Sequence, residues 1–387
     1  MSLSFIVTAF EAEARIRQCL DSLRPCLRPG DQVVLVDDGS ADGTPAVVRA
    51  FGEEGAFGPD IAWTPVLLGT HTPGGRAVPR NIGLDHARCG TVFFVEGGDR
   101  LIPGGFSQAR AAHERAPADI HVATWLEPGP GRDRPGLPAD HGKWAGLRAG
   151  MDREALRIAA LGLDPAAGRK FYRTEFLRRH RIRFPEGDFF FEDDPFHWQV
   201  CLRAETIGFS PRALCLHHPD AALPPAGADP AAFFLHFRAI LSAVPEGRRD
   251  LRLLAARWLI DRMEEGLARI RPAALDGYAA RARQALLLID EGDWTGPLSG
   301  EMAGSGIWAS ADRLRQGRQW EVAEAWKADA DRRLLADLLG RIAGLDERLR
   351  AAEGRIGAVG DMLAARRAID EFEALRRLHA PPLPPED

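Results

Sequence analysis

The sequence predicts an α/β fold, a sheet covered on both faces by helices, followed by an α-helical region that ends in a coiled coil. Three observations carry this. Short apolar runs alternate with amphipathic stretches up to residue 222. Two of these runs stop abruptly in acidic, glycine-bearing turns, Asp37-Asp38-Gly39-Ser40 and Glu96-Gly97-Gly98-Asp99. Beyond residue 230 helical periodicity dominates, and from Leu335 it tightens into a regular seam. Alternation with short connections is the mark of strands laid parallel with crossover helices.

In chain order, Phe5-Ile6-Val7 is the first strand, and Ile16, Cys19, Leu20 and Leu23 recur at helical spacing behind it. Gln32-Val33-Val34-Leu35-Val36 is a second buried strand ending in Asp37-Asp38-Gly39-Ser40, with a helix expected over 44–51. A strand over 61–68, a loop at Gly74-Gly75 and a helix containing Arg80-Asn81 follow. Thr91-Val92-Phe93-Phe94-Val95 is the next strand, and it runs into Glu96-Gly97-Gly98-Asp99. Residues 127–141, rich in Pro, Gly and Asp, read as a mobile loop. Phe189-Phe190-Phe191-Glu192-Asp193-Asp194 leads into a helix through Phe196, Val200 and Leu202, and 213–216 is the last strand before His217-His218.

The Ala/Pro/Gly-rich stretch 221–230 marks a domain boundary, which gives domains over 1–222, 223–325 and 326–378 and a disordered tail at 379–387. Helices are expected near 231–244, 249–271 and 273–290, with an interruption over 292–306. Leu335, Leu338, Ile342, Leu345, Leu349, Ala352, Ile356, Val359 and Leu363 alternate steps of three and four, an a/d seam. Its regularity favours self-association, a homo-oligomer built through this helix, over docking on the protein's own body. Glycines 340, 344, 354, 357 and 360 weaken the helix by roughly 0.5–1 kcal/mol each relative to Ala, so it needs a partner.

Bulk properties remove several functions. A chain of 387 residues that is 45% hydrophobic is long enough for more than one core. A net charge of −5 supplies no global field for nucleic acid. Cys19, Cys26, Cys89, Cys201 and Cys215 form no C-x-x-C pair, and read as reduced core thiols of a cytoplasmic protein. No signal-peptide pattern opens the chain, and no apolar run reaches the about 18 residues a membrane span needs.

In open α/β sheets ligands bind beyond the carboxyl ends of the strands, where Thr8, Phe10, Glu11, Asp37 and Asp38 fall. Phe5-Ile6-Val7-Thr8-Ala9-Phe10-Glu11, Val34-Leu35-Val36-Asp37-Asp38-Gly39-Ser40 and Asp42-Gly43-Thr44 together resemble the opening of family 2 glycosyltransferases. Gly75-Arg76-Ala77-Val78-Pro79-Arg80-Asn81 is similar to that family's Arg-Asn segment. Lys170-Phe171-Tyr172-Arg173 and Phe191-Glu192-Asp193 are similar to its acceptor-side signatures. The matches keep family order from Phe5 to His218.

This resemblance implies a GT-A-like, Rossmann-type mixed sheet and an inverting transfer of sugar from a nucleotide-diphosphate donor, commonly UDP-linked, to a hydroxyl acceptor. Thr8, Phe10, Glu11, Asp37, Asp38, Gly97 and Gly98 would line the nucleotide. Asp38 would be the principal nucleoside contact, and Arg80 and Asn81 would lie near the diphosphate and ribose. Mn²⁺ or Mg²⁺ would be held at Asp99, with Glu96 as the other carboxylate. Gly98 stands where the family usually has an Asp, so the site is thinner. Asp193 would be the general base and Glu192 its neighbour on the acceptor. An envelope or exopolysaccharide glycan is the implied acceptor, which places the chain in the cytoplasm, peripheral to the membrane.

The residue types suit that chemistry on their own. A strand-end carboxylate accepts from ribose hydroxyls and base N–H groups. Arg pairs bidentately with phosphate. Hard cations are held by one or two carboxylates plus substrate phosphates. An acceptor hydroxyl needs a carboxylate to take its proton. Each signal also has a plainer reading: Asp37-Asp38 as a turn, Arg80 as a solvated helical residue, Asp99 as a cap, Glu192-Asp193-Asp194 as an acidic turn. Of His217 and His218 at most one faces the site, as a metal ligand or in a structural role. His197 and Trp198 are expected at an acceptor subsite. Two rival functions stay open: a non-catalytic binding or scaffolding relative, motivated by Gly98, and a nucleotidyltransferase. Against the latter, Thr8-Ala9-Phe10-Glu11 lacks a glycine-rich phosphate loop.

Overall fold

The computed structural model describes residues 1–73, 75–128, 135–147, 150–187, 191–218 and 231–378. Its strands are β1 (Leu3–Ala9), β2 (Gln32–Asp37), β3 (Ala62–Leu67), β4 (Thr91–Glu96), β5 (Arg100–Leu101), β6 (Ile120–Leu126), β7 (Lys170–Arg173) and β8 (Ile207–Leu216). They form one eight-stranded sheet in the order β3-β2-β1-β4-β7-β6-β8-β5. The first four strands are mutually parallel, as expected. Beyond β4 the sheet is mixed: β7 is antiparallel to both β4 and β6, while β6 and β8 are parallel.

The helices of this part are α1 (Glu13–Leu23), α2 (Thr44–Glu53), α3 (Ala77–His86), α4 (Pro103–Arg115), α5 (Arg153–Leu161), α6 (Thr174–Arg179) and α7 (Asp193–Arg203). α1 forms because Ile16, Cys19, Leu20 and Leu23 lie on one face, and all four are buried. Each such side chain contributes roughly 1.5–3 kcal/mol through burial. Phe5, Phe93, Phe106 and Phe171 interlock at the centre, from β1, β4, α4 and β7, with ring centroids 5.0–6.1 Å apart. α3 sits against β1 at Gly83, where a Cβ would lie 2.2 Å from Ile6 Cγ2. Only glycine admits that approach, and it sets Arg80, one turn earlier, beneath the strand ends.

α8 (Phe233–Ala243), α9 (Arg249–Leu267) and α10 (Leu275–Leu286) occupy the three expected helical stretches. The expected interruption is short helical turns, including a π-helical turn at Trp294–Leu298 that accommodates Pro297. Met1–Gln319 packs as one compact unit and Trp320–Asp387 as another. The helix Gln319–Leu378 has 60 residues, about 90 Å at 1.5 Å per residue. Along it Leu335, Leu338, Ile342, Leu345, Leu349, Ile356 and Leu363 are 43–72% exposed, so the seam is presented to solvent.

Glu127 and Gly136 pair as an isolated antiparallel bridge, which ties the start of the expected mobile loop to a point within it. Phe189, Phe190, the boundary segment 221–230 and the tail 379–387 lie outside the described residues.

Candidate active site

The sheet order places the carboxyl ends of β2, β1 and β4 side by side, and the candidate residues collect there in three groups. At the β2 end, Asp37 and Asp38 divide two roles. Asp37 is fully buried and accepts from Ser40 Oγ (2.6 Å) and Ser40 N–H (3.2 Å), which closes the turn. Asp38 faces the neighbouring loop instead. Its Oδ1 accepts from Thr72 N–H (3.1 Å) and Thr72 Oγ1 (2.8 Å), and its Oδ2 lies 3.1 Å from His71 Nδ1. Burial pushes the Asp38 carboxyl up, against the pull of the Thr72 hydrogen bonds. Gly39, at φ +68°, permits the loop's approach, since a Cβ there would sit 2.3 Å from His71 N.

Phe10 is exposed and stacks on the His71 ring at 4.0 Å between centroids. The buried Thr8 Oγ1 has no hydrogen-bond partner. Glu11 accepts from Ala41 N–H (2.7 Å) and donates its own N–H to Ser40 Oγ (2.9 Å), so it stitches the two loops together. His71 carried no motif, and only the folded β3–α3 connection reveals it.

At the β4 end, Glu96, Asp99 and His217 offer ligand atoms that all lie within 4.8 Å of one another. His217 Nδ1 is 3.0 Å from Asp99 Oδ1, and His218 gives only its backbone N–H to the same oxygen (3.0 Å). Of the two histidine side chains, then, His217 meets Asp99. Burial opposes a charge on His217, but its hydrogen bond to Asp99 and the charges of Glu96 and Asp99 outweigh this and lift it to about 9. Burial likewise works to raise Glu96, yet Arg76, His217 and Arg80 together hold it below the usual carboxylate range. Two hard carboxylates and one imidazole form a donor set that suits Mn²⁺.

The third group is built by α3 and α7. Arg80 is 1% exposed and is no solvated helical residue. Its Nη1 lies 2.7 Å from Asp193 Oδ1 and 3.8 Å from Glu192 Oε1, and its Nη2 lies 3.1 Å from Glu96 Oε1. The guanidinium expected near the diphosphate is thus a buried counter-charge for three carboxylates. Arg76, from the same segment, approaches Glu96 at 3.3 Å. Glu192 accepts Arg76 N–H (2.8 Å) at the start of α3. Asp193 opens α7 and keeps 19% of its side chain exposed. Burial raises its carboxyl first of all, Arg80 opposes this, and Glu192 and Glu96 add to the rise.

Four residues face elsewhere. Asn81 donates to Phe184 carbonyl (3.0 Å) and Glu186 Oε1 (2.8 Å) and accepts from Phe184 N–H (3.0 Å), so its amide is committed to the 184–186 segment. His197 and Trp198, expected at an acceptor subsite, are core residues at 2% and 1% exposure. His197 stands one turn after Asp193 but deeper in the interior, where Cys201 Sγ lies 3.7 Å from its Nδ1. Asp194 also leaves the site: its Oδ1 accepts from Trp258 Nε1 (3.1 Å) and Arg262 Nη2 (3.0 Å) of α9.

Residues 4–180 match the model of Glycosyl transferase family 2. The chain is 22% identical over 218 residues to the uncharacterized glycosyltransferase EpsJ of Bacillus subtilis (strain 168), covering 56% of this chain and 61% of that protein. It is 21% identical over 187 residues to the uncharacterized glycosyltransferase YibD of Escherichia coli (strain K12), covering 48% and 52%. The match therefore spans less than two thirds of either curated relative. Crystal structures of S. aureus TarS 1-349 share the fold. The complex with UDP superposes with a TM-score of 0.65 at 19% identity, over 86% of this chain and 92% of that one. The complex with UDP-GlcNAc gives 0.67 at 18% identity over the same shares.

Proposed function

Residues 4–180 belong to glycosyl transferase family 2, and from that premise we propose that this chain transfers a sugar from a nucleoside-diphosphate donor to a hydroxyl acceptor with inversion. One observation carries the reading: Arg80 ties Asp193, a partly exposed carboxylate, to Glu96, a member of the Glu96–Asp99–His217 cluster. A base and a cation site held at fixed separation by one buried guanidinium suit an in-line displacement at a sugar carbon.

In this reading Asp38 and Thr8 contact the nucleoside and Phe10 covers the base. UDP is the proposed nucleotide, supported by the UDP and UDP-GlcNAc complexes of TarS. Glu96, Asp99 and His217 would hold Mn²⁺ or Mg²⁺, and growing charge on the departing diphosphate is what such an ion would offset. Asp193 takes the proton of the acceptor hydroxyl, and its burial favours that role by raising its basicity. Glu192, anchored on the Arg76 amide, fixes the start of α7 and with it Asp193. The acceptor is a glycan of the cell envelope or an exopolysaccharide, by family analogy. The five buried, free cysteines support a reducing compartment. Among the described residues no helix is long and apolar enough to cross a membrane.

The test is nucleotide release from a panel of UDP- and GDP-sugars, with and without Mn²⁺. Release from a UDP-sugar that is stimulated by a hydroxyl acceptor is the expected result. No binding or turnover of any nucleotide sugar would leave the scaffolding reading in its place.

A further inference from the structure

α1 packs directly on the 96–99 turn. A Cβ on Gly97 would lie 3.2 Å from Ile16 Cδ1, and Cys19 Sγ meets the Glu96 carbonyl at 3.4 Å. The residue before Ile16 is Arg15, and it turns toward Gly98. A Cβ placed on Gly98 would lie 3.6 Å from Arg15 Nη1 and 3.7 Å from its Cδ, ordinary contact distances. A side chain would therefore fit at residue 98, and its absence opens that face of the turn to the guanidinium.

Arg15 has no ion pair among the described residues. Asp99, which follows Gly98, is already engaged by His217 Nδ1 and the His218 N–H. Arg15 is exposed, and the backbone that carries it is fixed. Ala12 N–H donates to Thr44 Oγ1 (2.8 Å) and Glu13 N–H to Asp42 Oδ2 (3.1 Å), so the first turn of α1 is pinned to the loop after β2. In the sheet, β1 separates β2 from β4, which sets the end of β4, two residues before Gly98, about 10 Å from the Asp38 end at the usual strand spacing. A nucleoside seated at Asp38 would carry its phosphates toward Gly98. An unpaired guanidinium at that distance is a fork for phosphate oxygens.

We propose that Arg15 binds the diphosphate of the nucleotide donor from the Gly98 side of the site. This rests on the donor reading above, and it assigns Arg15 a direct contact with the substrate.

The experiment is calorimetry of the full chain in EDTA with UDP, GDP and uridine as probes, for the wild type and for Arg15→Gln, Arg15→Lys and Gly98→Asp. Arg15→Gln should lower affinity for the diphosphate by about tenfold, the scale of one lost charged hydrogen bond, and leave uridine unchanged. Arg15→Lys should recover part of the loss, as a point charge without the fork. Gly98→Asp should lower diphosphate affinity similarly by pairing Arg15, and adding Arg15→Gln to it should then cost little more. Equal weakening of UDP and uridine, or unchanged UDP affinity in Arg15→Gln, overturns the assignment while the donor reading survives. Failure of the wild type to bind either diphosphate, in EDTA and again with Mn²⁺, overturns both.

Discussion

Arg80 Nη1 lies 2.7 Å from Asp193 Oδ1, across 113 residues of sequence and with the guanidinium buried. An amide at residue 193 keeps an oxygen for that contact and loses the basicity. Asp193→Asn is therefore expected to preserve the fold and donor binding and to lower transfer by about a hundredfold or more, the scale of a lost general base. Steady-state transfer read beside donor calorimetry checks this. Turnover at the wild-type rate removes Asp193 from the mechanism.

At the other end, Asp38 holds the 71–72 segment as well as facing the proposed nucleoside. Asp38→Ala should weaken donor binding by about 1–3 kcal/mol, because buried donors lose a charged acceptor. Calorimetry with UDP measures the loss directly. Unchanged affinity would give Asp38 to the loop alone.

What could be read from the sequence, and what could not, follows from locality. Val33–Val36 and Val92–Val95 are continuous apolar runs, which is how a strand buried on both faces looks, and their acidic ends located Asp38, Glu96 and Asp99. β6 escaped notice because His121 and Thr124 interrupt its apolar pattern, although both are buried. Its partners β7 and β8 are remote in sequence, so no local pattern announced the mixed half of the sheet. Asp193 was readable as one of three consecutive acids. That Asp194 turns instead to Trp258 and Arg262 depends on α9, which is 64 residues or more away. Arg80 is legible as functional, but its three carboxylate partners come from the end of β4 and the start of α7, a convergence that only the fold creates. Arg15 and His71 belong to no motif and matter only by position, and Arg76, though inside the Arg-Asn segment, shows its role only by its approach to Glu96.

Asp194 supplies a pH test. Its Oδ2 is buried without a partner, and burial lifts the carboxyl to about 6 against the pull of Arg262 and Trp258. A folded-state value above the unfolded one means that this group's stabilisation is complete below about 4 and is lost as pH rises through about 6. Asp194→Asn keeps an acceptor for Trp258 and Arg262 and has no proton to lose. Its stability relative to the wild type should rise between about pH 4 and 7, by on the order of 2–3 kcal/mol. Urea melts across that range check it. Parallel curves for the two proteins would show that Asp194 does not titrate there.

The exposed seam on the helix Gln319–Leu378 predicts self-association. Seven leucines and isoleucines along it are 43–72% exposed, a continuous apolar face that water disfavours. Light scattering of the full chain should report an oligomer, and Ile342→Asp with Leu345→Asp should reduce it to monomers that still bind donor. A full chain that is already monomeric ends the coiled-coil reading.

The last prediction concerns metal. Three ligands converge at Glu96, Asp99 and His217, more than the thin Glu96-Gly97-Gly98-Asp99 run suggests by itself. Each is engaged in the protein as it stands. Glu96 faces Arg80 and Arg76, and Asp99 faces His217, which holds a proton at neutral pH. A divalent ion entering alone must displace those contacts, so Mn²⁺ should bind the protein weakly. The donor diphosphate adds negative oxygens at the same place and should raise Mn²⁺ affinity. By linkage Mn²⁺ should raise donor affinity by the same factor, on the order of tenfold. Calorimetry with Mn²⁺, UDP and both together gives that factor in each order. Asp99→Ala should abolish it while the fold and the metal-free affinity for UDP persist, because Asp99 supplies ligand charge and receives only His217 and the His218 amide. His217→Ala should reduce it less, since both carboxylates remain. Tight Mn²⁺ binding without nucleotide would mean that the three ligands suffice by themselves. The absence of any coupling in either order would remove the ion from the proposed reaction and favour the scaffolding alternative.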